Sequence, residues 1–259
     1  MLLLILIDGL RPDALTPERC PALTALMARG AYSLQAQSVM PSMTLPCHMS
    51  IFHSVPPSRH GVVTNTFTPM ARPLPGLVET AHAAGRTCAF YYNWEPLRNL
   101  SEPGHLLHSY FRDNDETPGG DHVIAGEAAR SLPLDRPDFA FIYLSTTDIT
   151  GHAFGWMSPR YLAQVGYVDA AVGALLAALP AETHVLVQAD HGGHDRTHGT
   201  DSPDDMTIPW LLAGPGVKAG HALQGPVSLL DTAPTLARLL GVPPDAQWEG
   251  KVIEDALAD

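Results

Sequence analysis

Thr183-His184-Val185-Leu186-Val187-Gln188 is a short β-branched and apolar run, and it leads directly into Ala189-Asp190-His191-Gly192-Gly193-His194-Asp195-Arg196-Thr197-His198. Such a run reads as a buried strand of a parallel sheet, a setting that requires helices on both faces. Side chains at the carboxyl end of a strand of this kind lie where open α/β sheets place their ligands. A carboxylate and a neutral imidazole on adjacent residues suit Zn2+ or a similar divalent ion, and the following loop adds two more histidines. The glycines behind the Asp-His pair allow a tight backbone turn. Taken alone, Asp-His-Gly is a common turn sequence, so the remaining ligands must come from elsewhere in the chain.

Two other apolar runs end in the same way. Leu2 to Ile7 delivers Asp8 and Gly9, and Asp138 to Leu144 delivers Ser145-Thr146-Thr147-Asp148 with His152 four residues on, a spacing that lets both hold one metal. The competing readings are a turn aspartate for Asp8 and a chance pair for Asp148 and His152. Between these runs, Pro46 is placed to begin a helix, which puts Thr44 at or just before a helix N-terminus, where it either caps the helix or meets the positive end of its dipole. Helices are predicted from Cys20 or Pro21 to Arg29 with Gly30 as C-cap, and over Pro75 to Gly85, Asp121 to Leu132, Pro159 to Leu179 and Leu229 to Leu240. Thr87 to Tyr92 reads as a strand, Thr207 to Ala213 as a last or edge strand interrupted by Pro209, and Pro56 to Asn65 as a turn-rich loop. Residues 93–120 carry Pro and Gly without periodicity and read as an irregular excursion that forms a rim or lid. The alternation implies an α/β fold, a mainly parallel central sheet flanked by helices on both faces, in one domain over residues 1–259.

Composition narrows the partners. With a net charge of −12 and only 15 Lys plus Arg, the surface suits neither nucleic-acid polymers nor anionic membranes, so a small anionic substrate has to be attracted locally, as divalent cations do. Met1 to Ile7 lacks a basic flank and stops abruptly at Asp8, which fits a first strand better than a signal peptide. No run reaches the ~20 apolar residues of a membrane span. The 3 cysteines, Cys20, Cys47 and Cys88, have no CxxC spacing and fit reduced thiols, so a cytoplasmic location is expected.

Asp8, Thr44, Asp148 with His152, Asp190 with His191, and His198 occur in an order and spacing that resembles the alkaline phosphatase superfamily, within it the nucleotide pyrophosphatase/phosphodiesterase branch and its phosphonoacetate-hydrolysing relatives. The resemblance runs from Asp8-Gly9 to Ile208-Pro209. It implies two divalent metal ions, Zn2+ or Mn2+, one held by Asp8, Thr44, Asp190 and His191 and the other by Asp148, His152 and His198. It further implies that Thr44 is a nucleophile forming a covalent phosphothreonine, that Asn65 holds a phosphoryl oxygen, and that the activity is hydrolysis of phosphodiester, phosphonate or pyrophosphate bonds. Other readings are a phosphomonoesterase or phosphonoacetate-type hydrolase of the same superfamily, or an inert relative that binds a phosphorylated ligand. His194 competes with His198 for the second metal, and the His-Gly ahead of Ile208-Pro209 favours His198. Leu45 and Cys47 depart from the family's usual Phe and Asn, so nucleotide specificity does not carry over. Cys47 is three residues beyond the nucleophile position, which disfavours a sulfatase. With no Arg or Lys in the ligand motifs, and with Arg11 and Arg196 expected in exposed turns, a singly charged phosphodiester suits the site better than a monoester dianion.

Overall fold

A computed structural model describes residues 1–113 and 119–258. Its strands are β1 (Leu2–Ile7), β2 (Ala31–Gln37), β3 (Cys88–Tyr92), β4 (Leu106–Phe111), β5 (Phe139–Leu144), β6 (His184–Gln188), β7 (Thr207–Ala213) and β8 (His221–Ala222). They form one 8-stranded sheet in the order β4-β3-β5-β1-β6-β7-β2-β8. From β4 to β6 all neighbours run parallel, with β1 in register between β5 and β6: Ile7 faces Leu144, and Leu6 faces Gln188. Every residue of β1 and β5 is buried, as a strand covered on both faces requires.

The helices are α1 (Pro21–Ala28), α2 (Thr44–His53), α3 (Pro57–His60), α4 (Leu77–Ala83), α5 (Gly120–Asp135), α6 (Thr146–Phe154), α7 (Pro159–Ala177), α8 (Pro203–Met206) and α9 (Thr232–Leu240). α7 packs on α1, α5 and α6 to make one layer, and α2, α4 and α9 pack on one another to make the other. Asp169 of α7 ties this first layer together by accepting the Ala22 and Leu23 amides, the free donors at the start of α1, at 3.0 and 2.8 Å. No helix among the described residues is long and apolar enough to cross a membrane.

The fold departs from the sequence expectations in several places, among them a one-turn helix, α3, inside the expected loop from Pro56 to Asn65 and a strand, β2, that no expectation covered. Strand β7 is interior rather than a last or edge strand, antiparallel to both β6 and β2. β2 bulges opposite Pro209, with Ser33 paired to Trp210 and Ala36 to Ile208; the Pro209 carbonyl accepts the Ala189 amide just past the end of the β6 ladder, the side on which the N–H that proline lacks would also have pointed. Residues 93–120 are less irregular than their composition suggests, since they contain a 3-10 helix over Glu95–Leu100 and the edge strand β4; residues 114–118 lie outside the described residues. Gly30 is not the C-cap of α1, which is Arg29. Its lack of a side chain serves a close approach instead, because a Cβ there would stand 2.2 Å from the Leu212 carbonyl oxygen.

Two glycine substitutions separate these roles. Gly30→Ala pushes β2 away from β7 and is expected to lower unfolding free energy by about 1–3 kcal/mol. Gly126, mid-way along α5 with nothing within 4 Å of an added Cβ, is expected to gain about 0.5–1 kcal/mol as Ala. Urea unfolding midpoints of the two variants check the pair, and equal shifts would contradict the packing account.

Candidate active site

Adjacent parallel strands lie about 4.8 Å apart, so the residues just past the ends of β5, β1 and β6 are neighbours by construction. Asp8 follows β1, Asp190 follows β6, and Asp148 sits in the first turn of α6, which begins just beyond β5. The Thr147 hydroxyl donates to the Asp8 carbonyl and locks the start of α6 onto the end of β1. Burial of Asp148 and His152 differs, at 10% and 43% side-chain exposure, although one turn of α6 separates them.

Two groups of potential ligand atoms result: Asp8, Asp190 and His191, and Asp148, His152 and His198, the ligand atoms of each lying within 4.8 Å of one another. In the first, His191 Nε2 is 3.3 Å from Asp8 Oδ1 and 3.4 Å from Asp190 Oδ2. In the second, His152 Nε2 is 3.1 Å from His198 Nε2 and 3.5 Å from Asp148 Oδ2, and His198 Nε2 is 3.6 Å from Asp148 Oδ1. A tetrahedral ion with bonds of about 2.0–2.1 Å separates its ligands by about 3.3 Å, so both groups have the spacing of a coordination shell.

Hydrogen bonding points the same way. Asp8 Oδ1, Asp148 Oδ1 and Asp190 Oδ2 are buried acceptors with no hydrogen-bond partner. A buried oxygen left unpaired is costly unless a cation answers it. Each histidine, meanwhile, uses Nδ1 on a backbone carbonyl: His191 on Gly192 at 2.8 Å, His198 on Ser42 at 2.8 Å and His152 on Arg196 at 2.9 Å. An Nδ1–H donated to a carbonyl leaves Nε2 with its lone pair free, and all three Nε2 atoms face the carboxylates. The donor set therefore fits two divalent ions.

Burial, more than any other influence, raises the carboxyl pKa values here. Asp8 stands well above the usual carboxylate range through burial and then Asp190, Asp148 well above it through burial and then Asp8, and Asp190 at about 8 through burial and then Asp148. Burial also lowers His198, with the nearby His191 adding to the effect, to about 2. Among the described residues no Lys or Arg lines this cavity, whose walls are Asp8, Thr44, Asn65, Trp94, Tyr143, Ser145, Asp148, Ile149, His152 and His198.

Thr44 is the first residue of α2, and the N-cap is Met43, so capping is not what places the hydroxyl. Its Oγ1 stands 3.4 Å from His191 Nε2, at the positive end of a 10-residue helix. The loop before α2 is strapped to the Asp190 loop by Ser38, which donates to the Asp190 carbonyl, and by Ser42, which donates to Thr200 O at 2.7 Å. Asn65 Oδ1 accepts the Leu45 amide at 2.9 Å, which uses that helix-start donor and leaves the Asn65 amino group for a ligand.

His194 takes no part in either group; it pairs with Asp205 at 2.7 Å, a bond that raises its pKa. Arg11 differs from its expected exposed turn. Its guanidinium is only 13% exposed and is held by Asp13 and Asp204, while Nη1 donates to Gly193 O at 3.0 Å. Gly192 and Gly193 differ as well: neither has positive φ, and both are needed for close packing, since a Cβ would stand 2.1 Å from Asp204 O and 2.3 Å from the Trp156 ring. Cys47 is fully buried behind the site against Ser38 and Pro41, away from the cavity that Thr44 lines. Sequence reasoning missed Tyr143, whose hydroxyl donates to Asp8 Oδ2, the cavity residues Ser145 and Ile149, and Trp156, whose ring packs on His152 and His198. The one available signal was Tyr143 itself, a polar hydroxyl near the end of an otherwise apolar strand.

The family profile of Type I phosphodiesterase / nucleotide pyrophosphatase matches residues 2–205. An uncharacterized pyrophosphatase/phosphodiesterase of Schizosaccharomyces pombe is 25% identical over 216 residues, 73% of this chain and 44% of that protein. The chain spans less than half the length of the curated relatives it matches first. Human ectonucleotide pyrophosphatase/phosphodiesterase 5 superposes with a TM-score of 0.83 at 16% identity, covering 100% of each chain. The murine form, an inactive threonine-to-alanine variant in complex with AMP, gives 0.80 at 16% identity, covering 99% of each. Sulfatases are also structural neighbours, so the superpositions speak for the fold alone. With the profile spanning most of the chain, the protein belongs to the type I phosphodiesterase/nucleotide pyrophosphatase family of the alkaline phosphatase superfamily.

Proposed function

We propose that this chain hydrolyses phosphodiester, pyrophosphate or phosphonate bonds of small anionic substrates, with Thr44 as nucleophile and two divalent cations, Zn2+ or Mn2+. Asp8, Thr44, Asp190 and His191 hold one cation, and Asp148, His152 and His198 the other. The observation that carries this reading is the convergence of three unpaired buried carboxylate oxygens on three imidazole Nε2 atoms beside the Thr44 hydroxyl. When bound, such cations supply Lewis-acid polarisation and neutralise charge on phosphoryl oxygens.

Thr44 Oγ1 gives its proton to solvent water and attacks phosphorus in line, so that the new P–O bond forms as the leaving oxygen departs with its electron pair and takes up a proton from solvent. Water then attacks the phosphothreonine and restores the Thr44 hydroxyl. Asn65, fixed by the Leu45 amide, donates from its amino group to a non-bridging oxygen, and the α2 N-terminus favours the charge on that group. The AMP held by the inactive threonine-to-alanine murine neighbour supports a threonine-dependent reaction and a small phosphate ester as ligand. Leu45 is fully buried and offers no surface to a base, so nucleotide specificity is not part of the proposal.

Charge selects among the substrates. The three carboxylates and a Thr44 alkoxide match two divalent cations, and the cavity wall has no cationic side chain to neutralise a further charge. A singly charged diester therefore suits it better than a monoester dianion. On one preparation, kcat/KM for bis(4-nitrophenyl) phosphate is expected to exceed that for 4-nitrophenyl phosphate by about tenfold or more; a reversed ratio would overturn the charge argument.

Thr44→Ala is expected to lower kcat by roughly 10³-fold or more while both cations stay bound, because Asp8, Asp190 and His191 remain. Asp190→Ala should instead lose a cation, as metal analysis after gel filtration would show. Near-normal turnover by Thr44→Ala would assign the attack to water.

The buried carboxyls also set a pH dependence. Their folded pKa values are raised, with Asp190 at about 8, so the metal-free fold holds protons that the unfolded chain has already released near pH ~4. That contribution is complete below the unfolded pKa and is lost as pH rises through about 8. The Tm of chelated protein is expected to fall between pH 5.5 and pH 8, and the Tm gain from added Zn2+ to be larger at pH 8. A gain that is the same at both pH values would argue against ligation by these carboxylates.

A further inference from the structure

Trp156 touches each segment that bears an Asp or His ligand atom of the two groups. Its indole Nε1 donates to Gly9 O at 2.9 Å, beside Asp8. The ring covers Gly151, one residue before His152, so closely that a Cβ there would stand 2.6 Å from it, and it meets the His152 imidazole edge-on at 5.0 Å and 85°. It also covers Gly193, two residues after His191, and meets His198 edge-on at 5.8 Å and 65°. Its backbone amide donates to Asp195 O at 2.7 Å, and the non-glycine residues Met157 and Asp195 on the two joined loops take φ of 61° and 47°. Unfavourable backbone of this kind persists only where the surroundings over-determine it.

From this geometry we infer that Trp156 is the positioning residue for the second group, holding His152 and His198 at the angle from which both Nε2 atoms address one ion; the inference rests on the two-cation reading above. His152 needs such help most, because its side chain is 43% exposed and, besides the other members of its own group, it is oriented by the Arg196 carbonyl at 2.9 Å. The first group depends on Trp156 less. His191 is fully buried, and Gly9 O also accepts the Tyr161 hydroxyl at 2.8 Å, so Asp8 keeps its support when the indole is gone. Phenylalanine at this position preserves an aromatic edge against both imidazoles; leucine does not.

Zn2+ titration in a chelator-buffered solution, with wild type, Trp156→Phe and Trp156→Leu, tests this directly. Wild type and Trp156→Phe should each bind two ions with similar affinities, and Trp156→Leu should bind the first normally and the second about 10–100-fold more weakly. Two unchanged affinities in Trp156→Leu, or equal weakening of both, would overturn the inference, the latter by making Trp156 a general packing residue. Fewer than two ions bound by wild type would overturn the two-cation reading itself. If Trp156→Leu does not fold, the wild-type protein decides: the Trp156 ring C–H resonances, assigned with Trp156→Phe, should shift mainly on the second equivalent of Zn2+, because the ring meets His152 and His198, and a shift confined to the first equivalent counts against it.

Discussion

The parallel register of β1 between β5 and β6 is the constraint on which the rest depends. It places Asp8, the start of α6 and the Asp190-His191 pair at one rim, at strand spacing, before any side chain is chosen. Parallel strands are paid for with full burial on both faces, which is why these runs are apolar throughout and why their first polar residues all appear at the same end. What the rim does with that convergence is then a matter of side-chain chemistry.

That chemistry is severe in its electrostatics. Asp8, Asp148 and Asp190 are buried together, burial and mutual repulsion raise all three pKa values, and no Lys or Arg lines the cavity to offset them. Such a cluster resists ionisation until positive charge arrives, and the three imidazoles are turned to receive it: their Nδ1 atoms are engaged with backbone carbonyls and their Nε2 atoms are aimed inward. The same arrangement that makes the metal-free site costly gives it the donor set that divalent ions favour. Loop backbone therefore contributes to the site as directly as the ligand side chains do, since the carbonyls of Ser42, Gly192 and Arg196 decide which nitrogen each histidine presents.

The loops are held by contacts that carry no functional label. Ser38 and Ser42 strap the approach to α2 against the Asp190 loop, Asn65 fixes the first turn of that helix, and Trp156 fills the seam between α6 and the His198 loop. Glycines at 151 and 193 are the counterpart of that large ring, present because an indole occupies the space a side chain would need. The packing thus explains residues that a turn-based reading assigns to backbone flexibility.

The sequence by itself determined the buried strands, the alternation with helices and the identity of the acidic and imidazole groups at the strand ends, because burial on both faces and the polar break that follows are local properties of the chain. It also put Thr44 at a helix start, since Pro46 and the apolar run after it are local signals. Only the tertiary structure decided that His198 rather than His194 meets Asp148, because that choice turns on Asp205 capturing His194 from across a loop. Likewise, β2 with its bulge, the interior place of β7 and the packing roles of Gly30, Gly193 and Trp156 depend on partners distant in sequence, which a reading of local pattern cannot see. Long-range pairing and close packing are relations between segments, and they become definite only when the chain has folded.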